Sequence, residues 1–287
     1  MASTREIRRR IRGVKNIKQV TRAMNMIAAA RLRRGQSKAE SARPYAERLR
    51  EILQDVLAGG VGARHPLLVK RDVKRIGVIL ITSDRGLCGG FNAAIIREVS
   101  HFLVEQTAEI GLLTVGKKGR DYFKTRGRGI DQHFAQPSRE VKLEELGAIT
   151  KRVIADYSSG RYDQIFLAFA GFVSVLKSQP TVIQLLPLEK PSAQTKQERA
   201  SYQFEPDAET LLDTLLPQYV EVLIYRALVE SLAAEQAARM VAMKAATDSA
   251  SDMIDNLTRE YNRARQGSIT TQILEVVSGA EALEHTE

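Results

Sequence analysis

Residues 235–266 read EQAARMVAMKAATDSASDMIDNLTREYNRARQ, and the spacing of their apolar positions decides the fold. Ala246, Ala250, Ile254, Leu257, Tyr261 and Ala264 step by four, four, three, four and three, which places them in one stripe along a helix. No proline interrupts Gln218 to Glu284, and the segment is rich in Ala, Met, Leu, Glu and Arg. At 1.5 Å per residue it spans roughly 100 Å, far more than a globular domain needs. Such a stripe requires a second long helix to cover it.

Only the opposite end of the chain is long enough. Ser3 or Thr4 caps a helix running to about Leu57. Ile7, Ile11, Val14, Lys18, Thr21, Asn25, Ala28, Leu32, Gly35, Ala39, Ala42, Ala46, Leu49, Leu53 and Val56 keep an unbroken heptad seam. Ala28, Gly35, Ala39, Ala42 and Ala46 let two backbones approach, Lys18 and Asn25 are polar interruptions that fix register, and Pro44 bends the helix. A domain separates the two segments, so they leave it side by side and antiparallel. Two unrelated surface helices would not sustain a repeat of this length.

The 287 residues are 44% hydrophobic with a net charge of +9. No continuous apolar run approaches the length of a bilayer span, and the basic N-terminus lacks the apolar core of a signal peptide, so the chain is expected to stay where it is made. The single cysteine, Cys88, excludes an intrachain disulfide and fits a reducing interior. The charge is uneven: residues 1–50 carry a net +12, leaving −3 for the remainder. Arg8, Lys15 and Arg22 form one basic row, Arg5 and Arg12 another, both beside the seam. A solvated helix face would explain them, but their density points to a large acidic partner, nucleic acid or protein.

Between the helices the pattern alternates. After a helix at 1–57 and a linker at 58–75, an apolar run Ile76 to Thr82 reads as a buried parallel strand. A helix from Ala93 to about Gln106, a strand Ile110 to Val115, a short helix Arg120 to Thr125, a helix Glu140 to Tyr157 and strands Gln164 to Val173 and Thr181 to Leu188 follow. This predicts an α/β fold: a small three-layer α/β (Rossmann-like) domain at 76–188, inserted between the arms of a long antiparallel coiled coil. A linker at 189–208 precedes the C-terminal segment 209–287, in which a short helix before Pro217 leads into the long one.

Chemical signatures are lacking. The turn Ser83 to Asn92 has neither the Lys-Ser/Thr pair of a P-loop nor dinucleotide glycine spacing, and Gly116-Lys117-Lys118-Gly119 is too short to cradle a phosphate. Tight turns account for these glycines. His65, His101, His133 and His285 show no ligand spacing, and Cys88 has no catalytic partner, so no metal, cofactor or catalytic residue is expected.

Three stretches carry a family resemblance: Ile17 to Ala30, Thr82 to Asn92, and Ala238 to Asp248 together with Ile269 to Ala282. Ile269, Thr270, Glu275, Gly279 and Ala280 meet the terminal pattern, while Gln272 stands where the pattern has Glu and Ser249 where Asn is usual. The chain resembles the γ subunits of F-type ATP synthase over nearly its whole length. The resemblance implies a noncatalytic rotor, or central stalk, inside a hexamer of α and β subunits, with its foot on a membrane ring of c subunits beside an ε subunit. It implies torque transmission between that ring and the ATP-forming sites, coupled to proton flow, at the cytoplasmic face of a bacterial plasma membrane. Arg5, Arg8, Arg9, Arg12, Met24, Arg239, Thr270, Gln272 and Glu275 would then meet the hexamer, and Ile273, Val276, Val277 and Ala280 would form a C-terminal bearing. Tyr45, Tyr202 and Glu205 would belong to the foot. The lone Cys88 speaks against the regulatory cysteine pair of chloroplast relatives.

The competing class is a nucleic-acid-binding coiled coil, suggested only by the basic N-terminus; it lacks a recognition-helix turn, and its basic rows share a helix with a fully used seam. A helix from Gln218 paired with one ending at Leu57 would overhang beyond about residue 272, by about 20 Å. That tip carries an apolar stripe of Ile269, Ile273, Val276, Ala280 and Leu283, broadened by Leu274 and Val277.

Overall fold

A computed structural model describes residues 4–58, 65–137, 141–188 and 207–284. Two long helices, α1 (Thr4–Ala58) and α5 (Ala208–Glu284), flank the middle of the chain. Two compact units result: residues 28–239, and the helical ends formed by 1–27 and 240–287.

In the first unit, β1 (Arg75–Ile81), β2 (Glu109–Val115), β3 (Gln132–Phe134), β4 (Gln164–Phe172) and β5 (Ser178–Leu186) form one sheet in the order β3-β2-β1-β4-β5. β1 is parallel to β2 and β4, β2 is parallel to β3, and only β5 runs antiparallel, on β4. Side chains alternate across the pleat. Ile76, Val78 and Leu80 join the core under α2 (Phe91–Glu105) and α3 (Lys117–Lys124), with Ile95, Val99 and Phe123. Ile79 and Ile81 join the opposite core with Ile149 and Val153 of α4 (Leu143–Ser158), Leu53 and Val56 of α1, and Leu212, Leu216 and Val220 of α5. The expected three-layer α/β domain is therefore present, and the lower parts of both long helices complete one of its cores.

The helical ends carry the predicted seam. Ile7 and Thr21 are buried, and Ile11, Val14, Lys18 and Asn25 are partly buried. On α5, Ala250 is buried and Ala246, Ile254, Leu257, Tyr261 and Ala264 are partly so, while their neighbours on the outer face are exposed. Thr21 and Thr247 share a hydroxyl hydrogen bond of 2.8 Å, and the Asn25 Nδ2 donates to the Met240 carbonyl at 2.7 Å. Arg8 donates to the Tyr261 hydroxyl and lies over its ring. As numbers on α1 rise, their partners on α5 fall, so the pairing is antiparallel.

Three expectations change. The helix break at Pro217 is absent, because α5 runs through it from Ala208. A proline inside a helix costs about 3 kcal/mol. Burial of Leu212 and Leu216 before it and Val220 and Ile224 after it, each worth about 1.5–3 kcal/mol, exceeds that cost. Consequently the pairing begins some ten residues lower on α5, and the overhang starts at about Arg265 rather than 272. All side chains from Arg265 to Ser278 are exposed, and the overhang of α5 is about 30 Å long. Lastly, α3 begins at Lys117 rather than Arg120, and the three-residue strand β3 was not anticipated.

Two glycines separate packing from backbone constraint. A Cβ on Gly35 would lie 3.7 Å from the Cβ of Ala233, an ordinary contact, whereas Gly116 has φ of 89° and a Cβ there would lie 2.1 Å from the Thr82 carbonyl oxygen. Gly35→Ala should therefore stabilise by about 0.5–1 kcal/mol through helix propensity. Gly116→Ala should destabilise by roughly 2–4 kcal/mol, combining the left-handed backbone with a backbone clash. Urea unfolding of the full chain followed by circular dichroism checks both signs.

Candidate functional site

At the carboxyl ends of β1 and β4 the strand order reverses, the place where doubly wound sheets bind ligands. Here the crevice is filled by the chain itself. Cys88, Phe91 and Ala170 pack on Ala234 of α5, with Phe172 and Ala238 beside them. Glu235 and Arg239, 4% and 8% exposed, form an ion pair of 2.6 Å. Arg239 also donates to the Gly86 carbonyl at 3.3 Å, and the Gln136 Nε2 donates to Glu235. The backbone N–H groups that could cradle a phosphate at the start of α3 are used as well. Lys117 N–H donates to Asp84 Oδ1, Lys118 N–H to the Ser83 carbonyl and Gly119 N–H to Thr82 Oγ1. The glycine-rich turns thus shape a helix dock rather than a nucleotide cradle.

Within that dock the turn Ser83 to Gly90 is held rigidly. Ser83 Oγ donates to the Arg85 carbonyl at 2.7 Å, and Asn92 accepts from Ser83 N–H at 3.0 Å. Leu87 is held at φ 63°, outside the range apolar side chains favour, and is 63% exposed. Burial pushes the Cys88 thiol pKa up, which keeps the buried thiol protonated. Among the described residues no cluster of His, Cys, Asp or Glu could hold a metal ion, and no helix is long and apolar enough to cross a membrane.

A family model described as ATP synthase matches residues 3–283. The ATP synthase gamma chain of Pelotomaculum thermopropionicum is 46% identical over 99% of this chain and 100% of its own length. The chain belongs to the ATP synthase gamma-chain family. The gamma chain of Chloroflexus aurantiacus is 42% identical, covering 99% of both chains. Among solved structures, a chain of the Tetrahymena thermophila mitochondrial ATP synthase central stalk and c-ring aligns with a TM-score of 0.60 at 27% identity, over 79% of this chain and 99% of its own. A chain of the Euglena gracilis mitochondrial ATP synthase aligns at 0.69 and 18%, over 98% and 94%, and shares the fold. Nothing in these matches favours a nucleic-acid-binding coiled coil.

The gamma-chain residues singled out by resemblance fall into three groups. Arg5, Arg9 and Arg12 are exposed on α1, Met24 is partly buried, and Thr270, Gln272 and Glu275 are exposed on the overhang. Ile273, Val276 and Val277 are each more than half exposed there, and the side chain of Ala280 lies outside the described set. Tyr45 is exposed, while Tyr202 and Glu205 lie outside the described residues. Two members also make contacts within the chain. Arg239 is turned into its own fold by Glu235 and Gly86, and Arg8 is engaged by Tyr261.

Sequence reasoning missed one surface. Ile17, Val20 and Ile27 are more than half exposed and, with Met24, step by three, four and three along α1. Each precedes a seam position by one residue, so the periodicity was absorbed into the seam. The buried ion pair makes a sharp prediction. Arg239→Met leaves the Glu235 carboxylate buried without its partner and should cost about 3–5 kcal/mol, whereas Glu235→Met with Arg239→Met should recover most of that loss. Urea unfolding of the two variants and the parent measures it.

Proposed function

We propose that this chain is the noncatalytic central-stalk rotor of a proton-translocating ATP synthase, carrying torque between a membrane c ring and a catalytic hexamer of α and β subunits. The observation that carries the reading is the match over 99% of the chain to ATP synthase gamma chains. The similarity to a chain of the Tetrahymena thermophila central stalk and c-ring supports the c ring as a partner. An ε subunit at the foot, with Tyr45, Tyr202 and Glu205, and a place on the cytoplasmic face of a bacterial membrane belong to this proposal.

The physics of the surfaces is consistent with turning. A rotor must exchange each contact with successive ring subunits, so no single contact should be strong. Exposed arginines such as Arg5, Arg9 and Arg12 form solvent-screened pairs worth about 0–1 kcal/mol, which exchange readily. The apolar tip of Ile273, Val276, Val277 and Ala280 suits an apolar collar, because apolar contact lacks the directionality that would hold one angle. Met24, Thr270, Gln272 and Glu275 would meet the ring between these zones.

Two measurements test the proposal. Mixed with α and β subunits, the chain should enter one stoichiometric complex whose ATP hydrolysis depends on it; failure to co-assemble would refute the role. In that assay Arg5, Arg9 and Arg12 changed together to Gln should slow assembly and flatten its dependence on salt, with helicity unchanged. Arg8→Gln should instead weaken the coil itself, seen as a lower unfolding midpoint, because it removes the bond to Tyr261.

A further inference from the structure

Between α1 and β1 the chain is fastened to the start of α5 through one short segment, residues 65–68. Leu67 and Leu68 are buried and join the core that holds Leu53 and Val56 of α1 and Leu212 and Leu216 of α5. The Leu67 carbonyl accepts from the Leu188 N–H at 2.9 Å, and the His65 carbonyl accepts from the Leu68 N–H at 2.9 Å. The His65 ring adds a titratable link. Its Nδ1 accepts from the Leu67 N–H at 3.2 Å. An N–H only donates, so Nδ1 carries no hydrogen and the hydrogen of the neutral ring sits on Nε2. That nitrogen lies 3.3 Å from Oδ1 of Asp213 on α5, and the His65 side chain is 12% exposed.

The ring does what Asn and Asp side chains do in an Asx turn, taking up the N–H two residues further on. Unlike an Asn oxygen, it loses its acceptor near neutral pH. A proton on Nδ1 sets two donors against each other, and the buried Leu67 then has an N–H without a partner. The imidazolium is attracted to Asp213, but that carboxylate is 75% exposed and screened by solvent. Burial accordingly holds the ring's pKa below its ordinary value, with the Asp213 charge acting the other way. Among the described residues Asp213 is the charged group that acts on the ring; the adjoining core presents apolar side chains, Leu53 and Val56 from α1 and Leu185 and Leu188 from the end of the sheet.

We propose that His65 is an acid-sensitive latch, which holds residues 65–68 against α5 when neutral and releases them when protonated. The closed segment takes up a proton less readily than the released one. The latch therefore holds above the ordinary histidine pKa of about 6.5 and weakens as pH falls below it. A histidine governed by its carboxylate would do the opposite and tighten in acid. The latch belongs to the chain's own fold and does not depend on the stalk role.

Amide hydrogen exchange of the full chain, resolved by residue with NMR and corrected for the intrinsic effect of pH, tests this. Relative to Val78 and Leu80 in β1, protection at Leu67 and Leu68 should fall about threefold or more between pH 7.5 and 5.0, since each pKa unit between closed and released states is worth tenfold. His65→Asn offers the Leu67 N–H an acceptor that does not titrate, so its protection should not follow pH. Asp213→Asn removes the charge that opposes release and should deepen the fall. The ring nitrogen shifts at pH 7.5 should show Nδ1 without a hydrogen. Protection that stays level or rises in acid, an equal fall in His65→Asn, a shallower fall in Asp213→Asn, or a hydrogen on Nδ1 at pH 7.5 would each overturn the proposal.

Discussion

Everything in this chain depends on the pairing of two helices drawn from its opposite ends. A long isolated amphipathic helix leaves its apolar stripe in water, and helical stability in proteins comes chiefly from covering that stripe. Here α1 and α5 cover each other. Ile7, Ile11 and Val14 of α1 and Ile254, Leu257 and Tyr261 of α5 are buried or partly buried in one unit, and Gly35 meets Ala233 in the other. The polar layer of Thr21, Thr247, Asn25 and the Met240 carbonyl adds what apolar packing lacks, a preferred register. A slip by one heptad would break both hydrogen bonds.

The α/β domain follows from this constraint. Its sheet buries one face against α4 and the lower parts of α1 and α5, so these helices complete its core. Its ligand crevice holds Ala234, Glu235 and Arg239 of α5. A site that serves chemistry in other doubly wound sheets is used here to grip a helix. The buried ion pair there is costly to form, and Arg239 adds a directional hydrogen bond to the Gly86 carbonyl.

Much of this was legible in the residues. The seam and the stripe from Ala246 to Ala264 repeat too long to arise by chance, and the described members of both are buried or partly buried. Strands β1, β2 and β4 were marked by continuous apolar runs. Other features were hidden for physical reasons. Pro217 carried a strong local break signal that the burial of Leu212, Leu216 and Val220 overrode, which displaced the expected start of the overhang. β3 is three residues long, too short for a periodic signal. The bond between Arg239 and Gly86 joins residues far apart in the chain, and no local pattern encodes it.

The register of the helix pair is the most direct point of test. With Cys88 changed to Ser, Thr21→Cys and Thr247→Cys place two thiols where the hydroxyls now meet, and mild oxidation should join them in nearly every chain. A control pairing Thr21→Cys with Ile254→Cys, two turns away on α5, should remain reduced. In the assembled complex the joined helices should still support ATP hydrolysis, because they turn as one body. Failure of the matched pair to join, or preferential joining of the displaced pair, would contradict the antiparallel register on which this account rests.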